Sequence, residues 1–103
     1  MADNDLIILE DAKDTLFTLE KEFRKALNRA DLDAAMEIKP KLEAAGDACS
    51  QARLNLLKEG VLATDEDVAE MRRIKAEVDQ AANTQQLVEG GIKFAAFIAK
   101  FAV

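Results

Sequence analysis

The chain has 103 residues, enough for one domain with one modest core and too few for a second. Half of its residues are apolar and a third are charged, with four Gly and one Pro, which excludes a disordered or loop-rich chain and favours packed helices. A net charge of −6 excludes nucleic acid as a direct partner, because holding a phosphate backbone takes a concentration of Lys and Arg.

The five Phe are the only aromatics, so the core is expected to be Leu, Ile and Ala between closely approaching helices. Cys49 stands alone and cannot form an internal disulfide, which points to a reducing cytoplasm. The opening Met1-Ala2-Asp3-Asn4-Asp5 is acidic and does not read as a secretory signal. No stretch reaches the ~18 apolar residues of an ordinary membrane-spanning helix.

Asn4 or Asp5 is the expected N-cap of a first helix. Its seam is Leu9, Ala12, Leu16, Leu19, Phe23, Ala26 and Ala30, spaced by threes and fours. Leu6, Ile7, Ile8, Phe17 and Leu27 widen the apolar stripe and imply contact with more than one neighbour. A tight turn is expected at Asn28-Arg29-Ala30-Asp31, with Asp31 capping the next helix.

The second helix carries Ala35, Ile38, Leu42, Ala45, Cys49, Ala52 and Leu56, and stops at Lys58-Glu59-Gly60. Pro40 lies opposite that seam, where it bends the helix instead of breaking it; a break at Lys39 is the competing reading. Val61-Leu62-Ala63 links to Thr64, the strongest cap signal, with Asp67 at the reciprocal third position. The third helix then starts at Asp65, with a seam of Met71, Ile74, Val78, Ala81, Gln85 and Val88. The same count runs on to Ile92, Ala95, Ala99 and Ala102.

Little here suggests chemistry. Without histidine, a zinc site or a histidine-activated nucleophile at Cys49 or Ser50 is not expected. Cys49 falls on a seam, where a small buried apolar residue is wanted. Carboxylate pairs at i,i+4, such as Glu10 with Asp14 and Glu66 with Glu70, arise from an acidic composition alone. Arg72 and Arg73 read as solvated surface, and Gln85 either fixes register or marks where the third helix leaves the core. The expectation is no enzyme, no cofactor, no metal and no small-molecule substrate.

The distinctive stretch is Gly90-Gly91 followed by residues 92–103, of which ten are apolar. Residues 1–88 carry nineteen acidic and twelve basic side chains, net −7, whereas residues 89–103 carry one Glu and two Lys. On a helix Phe94, Phe97, Ile98 and Phe101 share one face, and Ala95, Ala99 and Ala102 join Ile92 on another. Leaving four such large side chains wet forgoes roughly 1.5 to 3 kcal/mol each.

The expected fold is therefore all-α, one domain over 1–103. It is an antiparallel up-down-up three-helix bundle or coiled coil ending in a short apolar helix over 92–103. Two glycines inside a helix cost only about 2 kcal/mol, so that helix either continues the third or folds back as a fourth about a hinge at Gly90 and Gly91.

Either the tail completes its own core, or it meets something else. The favoured reading is a non-enzymatic interaction or assembly protein, a homo-oligomer or a subunit or adaptor binding another helical protein. It would dock through Ile92, Phe94, Phe97, Ile98 and Phe101. The alternative is a peripheral or membrane-perturbing protein, because the Phe face with Lys93 and Lys100 resembles an amphipathic membrane-active peptide.

Overall fold

The computed structural model describes residues 3–59 and 63–102, with the side chain of Glu59 left aside. The expected glycine stop at Gly60, the linker residues Val61 and Leu62, and the terminal Val103 lie outside the described residues. Four helices follow one another: α1 (Asp3–Asn28), α2 (Leu32–Glu59), α3 (Asp65–Asp79) and α4 (Thr84–Ala99). The all-helical expectation holds, but there are four helices in place of three and a short tail.

At 1.5 Å per residue α1 and α2 are each about 40 Å long, and α3 and α4 a little over half that. The molecule measures 43 × 21 × 17 Å, its length set by the long pair. It is built as a short hairpin, α3/α4, laid on one face of a long hairpin, α1/α2.

Specific contacts fix the directions. Asn4 Nδ2 donates to Asp65 Oδ1 at 2.9 Å, and Thr18 Oγ1 donates to Asp79 Oδ1 at 3.1 Å, so α3 runs parallel to α1. Asn55 Nδ2 donates to the Phe101 carbonyl at 2.9 Å, and Gly91 lies beside Lys41, so α4 runs parallel to α2. α1 touches both α2 and α3, which accounts for Ile7 and Ile8 in its wide apolar stripe but not for Leu6, Phe17 and Leu27, which stay exposed.

The buried stripe of α1 is Asp5, Ile8, Ala12, Thr15, Leu19 and Ala26. It lies between the expected seam and the second apolar row. Leu9, Leu16 and Phe23 flank it half-buried, because α1 must face α3 as well as α2. Thr15 is tolerated there since its hydroxyl donates to the Asp11 carbonyl at 2.8 Å. The expected α2 seam is close to what is observed, with Ala35, Ile38, Ala45, Ala52 and Leu56 buried and Leu42 and Cys49 half-buried. α2 runs unbroken through Pro40.

α1 starts at Asp3, ahead of the expected cap, and this places Asp5 inside the first turn. Its Oδ1 accepts the Ala63 amide at 2.7 Å, while its buried Oδ2 has no hydrogen-bond partner among the described residues. Asp31 caps α2 as expected, accepting the Ala34 amide at 3.1 Å. Thr64 and Asp67 form the reciprocal cap of α3, at 3.0 Å in each direction.

The main correction concerns the end of α3. The chain reverses at residues 80–83, before the glycines, and Gln85 is exposed in the first turn of α4. Asn83 accepts the Gln86 amide at 2.9 Å, and the Gln86 side chain accepts the Ala82 amide at 2.8 Å. The first bond satisfies an amide that a new helix start leaves open, and the second ties the preceding turn to it. Gly90 and Gly91 are then no hinge: both sit in the interior of α4 and are buried.

Candidate interaction surface

Gly90 is needed for close approach. A Cβ on Gly90 would come within 2.9 Å of Val78 Cγ2, so α3 and α4 meet at a distance only glycine allows there. A Cβ on Gly91 would be 3.5 Å from Leu19 Cδ2 and from Lys41 Cβ, which is ordinary contact. With the helices this close, Leu87, Phe94, Phe97, Ile98 and Phe101 enter the shared core.

The residues expected to dock a partner are thus placed inside the chain. Phe94 is fully buried, Phe97, Ile98 and Phe101 nearly so, and Ile92 alone is exposed, at 47%. Phe97 and Phe101 pack edge to face with centroids 5.6 Å apart, and the Lys100 ammonium lies 4.9 Å from the Phe97 centroid. Covered in this way, the Phe face is not presented to a partner helix or to a lipid surface.

The uncovered apolar surface lies elsewhere. Of the eight exposed large hydrophobic side chains among the described residues, seven belong to α1 and α2: Leu6, Phe17, Leu27, Leu32, Met36, Leu54 and Leu57. Phe17 is 68% exposed and Met36 72%. In α1 they belong to one outer row, Leu6, Glu10, Lys13, Phe17, Glu20, Arg24 and Leu27, spaced alternately by four and three. In α2 the matching row runs from Leu32 and Met36 through Gly46, Ser50 and Arg53 to Leu57. Near the end where α1 begins, the two rows border an open groove of about 410 Å³, with Leu9, Leu16 and Cys49 in its floor.

This face looks away from the short hairpin, and the reason is geometric. α3 and α4 cover one side of α1 and α2, and among the described residues no helix covers the other. Among the described residues the signal that could have found the surface is the outer three-four row of α1, which runs beside the core row.

The electrostatics are unremarkable for catalysis. Burial pushes the Cys49 thiol up to about 11, away from the thiolate that a nucleophile requires. The carboxylates of Asp11, Asp14, Asp67, Glu70 and Glu77 face Lys or Arg side chains. Partial burial works to raise the Asp67 carboxyl. Hydrogen bonds from Thr64 and the nearby Lys100 ammonium outweigh it and hold the group below its ordinary value. Among the described residues no cluster of His, Cys, Asp or Glu could hold a metal, and no helix is long and apolar enough to cross a membrane.

The chain matches no family model, no curated protein and no solved structure.

Proposed function

We propose that the chain is a non-enzymatic helical protein that acts through protein contacts, with the outer face of α1/α2 as its docking surface. The observation that carries this reading is the concentration of seven exposed large apolar side chains on one hairpin. Exposed large apolar side chains gathered on one side of a molecule among polar ones mark an interaction site, whereas the same residues scattered singly over the whole surface do not. The patch is interleaved with Glu10, Lys13, Glu20 and Arg24, a balanced set of charges. Such a set suits another protein better than an anionic lipid surface, which favours an excess of Lys and Arg. The lone thiol of Cys49 fits a reducing, cytoplasmic setting.

The test is site-specific photo-crosslinking in cells that make the protein. A photoreactive residue at Phe17 is expected to give a protein adduct, and one at the exposed Arg73 of the short hairpin is not. An adduct with lipid alone, or equal yields at both positions, would sink the reading.

A further inference from the structure

We propose that the occupant of this face is a second copy of the same chain, packed face to face about a two-fold axis beside Phe17. The proposal rests on the contact-surface reading and names its partner.

An interface between identical copies must be self-complementary: what lies on one side of the axis has to suit what lies equally far on the other. The outer row of α1 has this property about Phe17. Leu6 and Leu27 lie at its two ends, so antiparallel pairing brings apolar onto apolar. Glu10 and Arg24 are equally far from Phe17, and so are Lys13 and Glu20 to within one residue. Each carboxylate therefore meets a cation of the other copy, twice over by symmetry.

Shifting the axis by about one turn, to Lys13, would set Lys13 on its own copy, lay Leu6 on Glu20 and leave Leu27 uncovered. The charges thus select one register while the apolar ends supply affinity.

Three further observations agree. The row on α2 is apolar at both ends, with Leu32 and Met36 at one and Leu57 at the other, so the same rotation pairs end with end. Near its middle is Gly46, where an added Cβ would meet nothing within 4 Å, leaving room for a side chain of the second copy. Among the described residues Glu10 and Lys13 take part in no ion pair, while Glu20 and Arg24 hold each other at 2.7 Å. The second copy would extend that pair into an alternating four-charge cluster on each side of the axis.

The size permits it. Two adjacent helices, each about 10 Å across, over the 43 Å length of the molecule present at most roughly 860 Å², close to the about 800 Å² per partner of a standard stable interface.

The experiment is the solution mass of the full chain by light scattering and sedimentation over a concentration series. The wild type is expected at twice 11.3 kDa. Phe17→Glu is expected to raise the dissociation constant by about 100-fold or more, since it puts two carboxylates together at the axis. Lys13→Glu and Glu20→Lys are each expected to weaken association about tenfold, by setting like charges opposite one another. Mixed in equal amounts, these two variants should recover a heterodimer, because each supplies the charge that the other lacks. All three positions are on the outer row, and circular dichroism should show the helical fold unchanged.

A wild-type monomer at every concentration overturns the proposal. So does a dimer indifferent to Phe17→Glu, or a mixture that stays monomeric. If the purified chain is monomeric while the crosslinker at Phe17 captures a different protein, self-pairing falls and the contact reading stands. A monomer with no adduct ends both.

Discussion

The short hairpin and the long one share a core but finish their outer faces differently. On α3/α4 both helix starts are closed by side-chain caps, the reciprocal pair of Thr64 and Asp67 and the Asn83 side chain on the Gln86 amide. The helices are laced by Lys93 with Glu77 at 2.7 Å and by Lys100 with Asp67 at 3.5 Å, and among the described residues Ile92 is the one large apolar side chain exposed there. On α1/α2 no ion pair joins one helix to the other among the described residues, and the outer rows carry Leu, Phe and Met. The short hairpin has a completed surface and the long one does not. Substitutions on the first should therefore register as stability, and on the outer face of the second as association.

The strongest way to break that division is a pair of phenylalanines. Phe94→Ala removes a fully buried ring and is expected to lower stability by about 3 to 5 kcal/mol in urea unfolding. Phe17→Ala, measured at a dilution where the chain is monomeric, should change it by less than about 0.5 kcal/mol. Similar losses at both positions would mean that the outer face is held by contacts within the chain.

The adjacent glycines give a smaller and more local contrast. At Gly90 a methyl meets the stiff β-branched Val78 at 2.9 Å, so Gly90→Ala should cost about 1 to 2 kcal/mol even after the gain of ~1 from helix propensity. Gly91→Ala meets only ordinary contacts and should stabilise by about 0.5 to 1 kcal/mol. If both alanines stabilise, the α3/α4 spacing is looser than described.

The cap of α3 adds a pH signature of the same order. Thr64→Ala should cost about 1 kcal/mol in thermal unfolding. Asp67 has its carboxyl lowered relative to the unfolded chain, so its contribution is present at neutral pH and is lost as pH falls through the lowered value. Asp67→Asn should accordingly reduce the loss of stability seen on acidification below the ordinary carboxylate range. An unchanged acid limb would remove Asp67 from the stabilising set.

Much of the helical architecture is legible in the sequence where one residue type has one local use. Asp31 and Thr64 announce helix starts because their side chains accept amide hydrogens that otherwise have no partner, and Pro40 does not interrupt a helix whose seam is on the other side. The turn at 80–83 was hidden because it contains neither Gly nor Pro, and the three-four count passes through it unbroken. The sign that was available is Asn83, an N-cap residue with Gln three positions on, a spacing like that at Thr64, although here Gln86 accepts the Ala82 amide instead of the cap's own. A glycine pair in a sequence suggests a flexible point, whereas the use of Gly90 is steric, and steric use depends on the neighbour, Val78, which only the fold supplies. The Phe-rich face is apolar whichever surface covers it, so its destination was not written locally, and the exposed row on α1 was read as part of a broad inner stripe.

The smallest expected effect concerns how each hairpin turns. Between α1 and α2 the Asp31 amide bonds the Ala26 carbonyl at 2.9 Å and the Ala30 amide bonds the Leu27 carbonyl at 3.0 Å, which forces Ala30 to φ 58. A left-handed residue with a Cβ costs about 1 to 2 kcal/mol, and glycine gives back roughly half through its greater freedom in the unfolded chain. Ala30→Gly should therefore stabilise by about 0.5 to 1 kcal/mol, read as a higher urea midpoint with an unchanged slope. At the corresponding place in the short hairpin Gln80 has φ −97, where a side chain carries no such strain. Gln80→Gly should lose about 0.5 to 1 kcal/mol from the same entropy term with nothing to offset it. Opposite signs at the two turns would show that the long hairpin carries its strain in its turn as well as its exposed apolar surface on its face. Equal signs would place the difference between the hairpins on their outer faces alone.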